Sequence, residues 1–215
     1  MVHAFVAVIE SPASQDLLDG RTEGRALCEA LSLADIPHSY SLATERAMLQ
    51  QALGDRLRAA ARHHGKVPII HLSMHGNVHG VQLTNGDFLS WLELRNELIP
   101  LLRATRGTLL VCMSSCFGNA GCRMAMHDDD EPTFWALVGN TASATWSDAA
   151  VAYISFYHLF FKGFDLPICV NSMKVASGDH NFIYHIGQQT KENWQAYLQE
   201  MRQEQIQSAV ESPGG

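Results

Sequence analysis

Two short stretches about forty residues apart carry side chains able to do chemistry. One is Ile69-Ile70-His71-Leu72-Ser73-Met74-His75-Gly76-Asn77. The other is Leu109-Leu110-Val111-Cys112-Met113-Ser114-Ser115-Cys116-Phe117-Gly118. Each is an apolar run, then small and polar residues, then a reactive side chain close to a glycine. A thiol near its free pKa of about 8.5 is mostly protonated at neutral pH, and an imidazole beside it can take that proton or deliver one to a leaving amine. Gly76 leaves room for a substrate backbone, and Gly118 lets the turn after Cys116 aim N–H groups at a developing oxyanion. Singly, Cys116 reads as a small buried hydrophobe and His75 as a hydrogen-bonded loop residue. Their matched placement at two strand ends favours a nucleophile and its proton-transfer partner.

Other groupings compete less well. His71, His75 and His79 would stack for a metal on a helix. Pro68 before them and Gly76 and Gly80 among them instead indicate strand and loop, where that spacing does not converge. Cys112, Cys116, Cys122 and His127 match no common zinc spacing. The acidic run Asp128-Asp129-Asp130-Glu131 reads as a solvated loop, with calcium as its functional alternative. Cys28 and Cys169 sit in apolar contexts and read as core. We therefore expect no metal.

The elements that must position the pair follow from periodicity. Residues 3–9 read as a first strand and 38–42 as a short second one. Residues 67–73 are the third, 108–114 the fourth and 134–140 the fifth. Between them lie helices at 21–33 and from Thr44, its N-cap, to about His64. A third starts at Ser90 or Trp91, with Leu94, Leu98, Leu101 and Leu102 inward, and a fourth covers 148–161. Asn85-Gly86 between two alternating runs predicts a hairpin after the third strand. Residues 166–170 fit either a sixth strand or the start of a helix, and a Gln-rich helix begins at Thr190. Residues 118–132 show no period and read as a mobile loop. Strands alternating with helices predict an α/β fold with a mostly parallel sheet covered on both faces. Its working groups should gather at the carboxyl ends of the strands.

Composition bounds the rest. At 215 residues with 47% apolar content, one domain over 1–211 and a frayed tail at 212–215 is expected. A net charge of −7 without a basic stretch disfavours nucleic acid. No run approaches the roughly 20 apolar residues of a membrane span. The first residues read as a strand rather than a signal peptide. Five loosely spread cysteines suit a reducing cytoplasm.

Strand–His75-Gly76, hairpin, helix, then strand–Ser114-Ser115-Cys116-Phe117-Gly118 resembles the caspase-like cysteine peptidases. These include caspases, metacaspases, gingipains, separases and bacterial CHAT peptidases. Residues 136–140, then Trp146, Asp148 and Phe156-Tyr157, are similar to the CHAT and separase stretch in which a strand leads to Trp, Asp and a helix bearing Phe-Tyr. The resemblance covers roughly residues 3 to 165. It implies a caspase/haemoglobinase-like three-layer sandwich that cuts protein substrates without a cofactor. His75 would be the general acid/base and Cys116 the nucleophile, with Gly76 and Cys116 giving N–H groups to the oxyanion. It also implies a zymogen switched on by dimerisation, calcium or nicking by an upstream protease, for which Arg123 is the candidate cut site. By analogy of context, prokaryotic relatives serve antiviral defence or programmed death.

For the residue before the cut, the resemblance offers two holders. Asp148 matches the acid that binds a basic residue, though it follows Trp146 by two positions where CHAT sequences leave about four. Arg21, in Asp19-Gly20-Arg21-Thr22-Glu23-Gly24-Arg25, matches the caspase arginine that binds an aspartate. Asp148 is otherwise a helix N-cap and Arg21 a solvated charge. The expectation is a basic residue before the cut. A catalytically silent scaffold that regulates a partner protease is the alternative, and a thiolate enzyme of other acyl-transfer chemistry a third reading.

Overall fold

Four apolar runs, each buried on both faces, set the architecture: β1 (Ala4–Ser11), β3 (Val67–Asn77), β6 (Leu110–Ser114) and β7 (Ala136–Asn140). Strands buried on both sides need a helix layer on each, which is the condition for parallel pairing. The computed structural model describes residues 2–127 and 131–211. In it the sheet order is β2-β1-β3-β6-β7-β8, with β2 (His38–Leu42) at one edge and β8 (Phe182–Ile186) at the other. All neighbours on this path are parallel except β7 and β8. β4 (Gly80–Gln82) and β5 (Phe88–Ser90) form the hairpin expected at Asn85-Gly86, and β4 pairs antiparallel with the end of β3. Gly86 has a φ of 92°, which the tight turn requires.

Alternation along the strands sends two residue sets to opposite faces. Phe5, Ala7, Ile9, Ile70, Leu72, Met74, Val111 and Met113 pack under α3 (Arg46–Gln51), α4 (Leu57–His64) and α5 (Trp91–Ala104). Val6, Val8, Ile69, Leu110, Cys112 and Val138 pack under α2 (Glu23–Leu33), α6 (Trp146–Phe161) and α7 (Leu166–Ser177). The result is the three-layer sandwich with a mostly parallel sheet that the alternation predicted. α3 and α4 are joined by a π turn at Ala52–Arg56, where Gly54 leaves helical geometry. At α5, Ser90 and Glu93 make a reciprocal capping box.

Several expectations change. Helix α3 starts at Arg46 with Glu45, not Thr44, at the cap position. Residues 166–170 belong to α7, for which the Asp165 side chain accepts from the Ile168 N–H. Strand β8 was not expected. Helix α8 begins at Gly187, three residues before Thr190. The stretch 118–132 opens not as a mobile loop but as a 3-10 helix, Gly118–Ala125, with Met124 and Ala125 buried against the core. Tertiary burial, not a helical period, holds it. The expected tail at 212–215 and the calcium reading of Asp128, Asp129 and Asp130 lie outside the described residues, while Glu131 pairs with Arg103 at 2.7 Å.

Candidate active site

The register of β3 on β6 decides which side chains meet. His71 is opposite Cys112 and Ser73 opposite Ser114. Two residues further along each chain are His75 and Cys116, on the face covered by α2 and α6. They line one cleft of about 210 Å³ together with Met74, Ser114, Ser115, Ala144, Thr145, Trp146 and Ala149. The cleft lies at the carboxyl ends of the strands, where α/β sheets gather their working groups.

The turn that presents Cys116 is tightly built. Phe117 takes a left-handed φ of 55°, a conformation that costs a non-glycine residue roughly 1 kcal/mol or more. Its N–H donates to Ala142 O at 2.9 Å, and Gly118 N–H donates to Ser115 O at 3.1 Å. A Cβ on Gly76 would sit 3.0 Å from Cys116 O and 3.2 Å from the Ser115 side chain. A Cβ on Gly139 would lie 2.6 Å from the backbone of Gly118 and Asn119. Bare backbone at 76 and 139 thus lets β3 and β7 close on the cysteine turn from both sides. Gly76 and Cys116 meet as backbone neighbours. The Cys116 thiol faces Ala144 O at 3.8 Å.

His75 is half exposed, but its Nε2 is buried and has no full hydrogen bond. That nitrogen faces the Asp16 carboxylate, whose Oδ2 is 3.5 Å away, an ion-pair distance rather than a hydrogen bond. The same oxygen accepts from Trp146 Nε1 at 3.2 Å. The Trp146 ring meets the imidazole edge to face, with centroids 5.2 Å apart. With Nε2 turned towards Asp16, Nδ1 is the nitrogen left for the cleft. Asp16 comes from α1 (Ser14–Leu18), a single turn after β1 whose residues are not buried. Four neighbouring strand ends therefore each bring one part: Asp16 after β1, His75 on β3, Cys116 after β6 and Trp146 after β7.

One layer below, the same residue types are put to structural use. His71 is fully buried, with Nδ1 at 3.1 Å from Tyr157 Oη and Nε2 at 3.4 Å from Glu23 Oε2. Burial pushes the Cys112 thiol up to about 12, so it stays protonated. Burial likewise raises Cys28 to about 12 and Cys169 to about 11, and lifts Cys122. His79 is exposed, so His71, His75 and His79 do not converge.

Of the other sequence candidates, Asp148 stands in the first turn of α6. Its N–H donates to Thr145 Oγ1 at 3.1 Å, and its carboxylate accepts from that hydroxyl at 2.7 Å. It is a partner of the cap rather than the cap itself, and it does not line the cleft. Arg21 is exposed and touches this region through its backbone N–H, which donates to Asp16 O at 2.8 Å. Arg123 is exposed within the 3-10 helix, its Nη1 donating to Val78 O at 2.8 Å. Asp16 had no local sequence signal beyond lying just past a strand's carboxyl end.

No protein-family model matches the sequence, and no curated protein matches it. Among solved structures, the chain is similar to a secreted C11 cysteine protease from Bacteroides thetaiotaomicron, iotapain. The TM-score is 0.58 at 10% identity, over 88% of this chain and 68% of that one. The fold is caspase-like. At such identity the likeness concerns the backbone alone. Within this caspase-like sheet, His75 and Cys116 are carried by adjacent parallel strands.

Proposed function

We propose that the chain is a cysteine endopeptidase, with Cys116 as nucleophile and His75 as general acid/base. One observation carries this reading: His75 and Cys116 open from adjacent parallel strands into one cleft, with the Asp16 carboxylate behind the imidazole. His75 takes the thiol proton, and the sulfur attacks the carbonyl carbon of a peptide bond. As the C–N bond breaks, His75 gives that proton to the departing amine, leaving a thioester on Cys116. Water then attacks the thioester, losing its proton through His75, and the acid product leaves with the thiol restored. N–H groups of Gly76 and Cys116 are the candidates to receive the oxyanion. None of these steps needs a cofactor.

The finer expectations have uneven support. The resemblance favours a basic residue before the cut through Asp148, or an aspartate through Arg21. The cleft lining, which has no acidic or guanidinium side chain, favours a neutral one. A nick after Arg123 by an upstream protease would require the packed 3-10 helix to open first, which suits a zymogen switched by partner binding or dimerisation. Five unpaired thiols fit a reducing compartment such as the cytoplasm. No described helix is long and apolar enough to cross a membrane. A role in defence rests on the resemblance alone.

The test is cleavage of a pooled peptide library by the parent, Cys116→Ala and His75→Ala, with circular dichroism confirming that all three fold. Cleavage by the parent and loss in both variants is the expected result. Cleavage that persists in Cys116→Ala would sink the dyad. A parent that cuts nothing, even after limited nicking near Arg123, would favour the regulatory scaffold.

A further inference from the structure

The floor of the cleft is neutral, and it holds an unanswered hydroxyl. Ser114 lines the cleft two residues before Cys116, on the same face of β6. It is 1% exposed, and its Oγ is buried without a hydrogen-bond partner. Directly across the register is Ser73, also fully buried with an unpartnered Oγ. Ser115, which lines the cleft beside Ser114, also carries a buried Oγ without a partner. Buried hydroxyls are normally hydrogen-bonded, so hydroxyls left open at a cleft mark where a ligand group or water belongs. Around them the walls are Ala144, Ala149, Thr145 and Trp146. Thr145 Oγ1 is already engaged with Ser147 and Asp148. Asp16 touches cleft residues, but its Oδ2 is held by Trp146 and faces His75. An aspartate side chain entering this floor would bury a charge with no opposite charge to meet it, and a lysine or arginine would meet only the Asp16 carboxylate, which already faces His75 and accepts from Trp146. A short hydroxyl or carboxamide would instead supply both the donor and the acceptor that the serines lack.

We infer that the subsite beside Cys116 takes a short, neutral, hydrogen-bonding side chain, such as Ser, Thr or Asn, as the residue before the cut, with Ser114 Oγ as its reader. This rests on the peptidase reading of the same cleft, and it replaces Asp148 and Arg21 as specificity determinants.

The experiment uses peptidyl acyloxymethyl ketones that differ only in the residue next to the warhead: Ser, Thr, Asn, Ala, Arg, Lys and Asp. Labelling of Cys116 is followed by intact mass and peptide mapping, so turnover is not required. The Ser, Thr and Asn probes should label at least tenfold faster than Arg, Lys or Asp. Ser114→Ala should erase their lead, so that within that variant the Ser, Thr and Asn probes label no faster than the Ala probe. Ser114→Asp should shift preference to Arg and Lys. Fastest labelling by Arg or Lys probes in the parent, lost in Asp148→Asn or Asp16→Asn, would overturn the inference and keep the peptidase. Labelling that ignores the side chain would do the same. If no peptidyl probe labels Cys116 while iodoacetamide does, the peptidase reading itself falls.

Discussion

Limited alkylation of the native protein should go to Cys116 ahead of the other cysteines, by a margin the structure sets. The chain has free thiols at Cys28, Cys112, Cys116, Cys122 and Cys169. Alkylation rate follows the thiolate fraction and access. Burial raises Cys28 and Cys112 to about 12 and Cys169 to about 11. At pH 7.5 those values leave ~3 × 10⁻⁵ and ~3 × 10⁻⁴ of the thiol ionised, against roughly a tenth for an accessible thiol near 8.5. Ionisation alone therefore separates an accessible cysteine from the buried three by ~300- to 3,000-fold. Enclosure widens the gap for Cys112, which is fully buried under Tyr157. Cys122 is half exposed with a raised value, so it should react at an intermediate rate. The assay is a time course with iodoacetamide, quenched and read by peptide mass spectrometry. Cys116→Ala should remove the fast phase, and labelling of the buried three should rise about tenfold per pH unit between pH 8 and 10. If Cys112 or Cys122 takes label as fast as Cys116, or if Cys116→Ala labels at the parental rate, the assignment of the reactive thiol is wrong.

Three further outcomes are expected. Gly76→Ala would put a Cβ 3.0 Å from Cys116 O, so the cysteine turn must shift by a few tenths of an ångström and kcat/KM should fall ~10²–10³-fold in protein that circular dichroism shows to be folded; activity within twofold would remove Gly76 from the site. Asp16→Asn keeps an acceptor for Trp146 but loses the charge facing His75, so kcat should fall ~10-fold or more, part of the ~10²–10⁴ from acid–base catalysis, with KM little changed and Asp16→Glu partly restoring it. An equal loss in KM would instead make Asp16 a substrate contact. Hydrogen bonds from the Ser90 backbone and hydroxyl, with Arg46 beside them, hold the Glu93 carboxyl down at about 2, from the usual 4.5. That stabilisation is complete above pH 4.5 and lost as pH falls through about 2, so Glu93→Gln, which removes the titrating carboxyl, should flatten the fall in Tm across this window. Both side chains of the Glu93–Arg46 pair are well exposed, which keeps the effect modest; an unchanged slope would reject the capping box as its source.

Much of the fold was legible because strands buried on both faces read as near-continuous apolar runs, as 4–9, 67–70 and 109–113 do. The elements that escaped notice lack such a period. Helix α1 has no buried residue of its own, so its five residues read as polar loop. Strand β8 is a short edge strand, half exposed along most of its length. The 3-10 helix at 118–125 has no 3.6-residue repeat, and Met124 is buried only by what folds over it.

The two strand ends that carry His75 and Cys116 could be read from the chain, because side-chain alternation and apolar length are local properties. The sequence also made His75-Gly76 and Cys116-Phe117-Gly118 the places where backbone must come close. It could not say that the β3–β6 register brings 71 to 112, and hence 75 beside 116, since register depends on both strands at once. It could not find Asp16 or Trp146 as neighbours of His75, 59 and 71 residues away along the chain, for that contact exists only once β1 and β7 flank the central pair. Asp148 and Arg21 were implied by the resemblance and do not line the cleft, whereas Ser114, an ordinary strand residue in sequence, does. Local chemistry is written in residue types, while which groups share a cleft is set by sheet order.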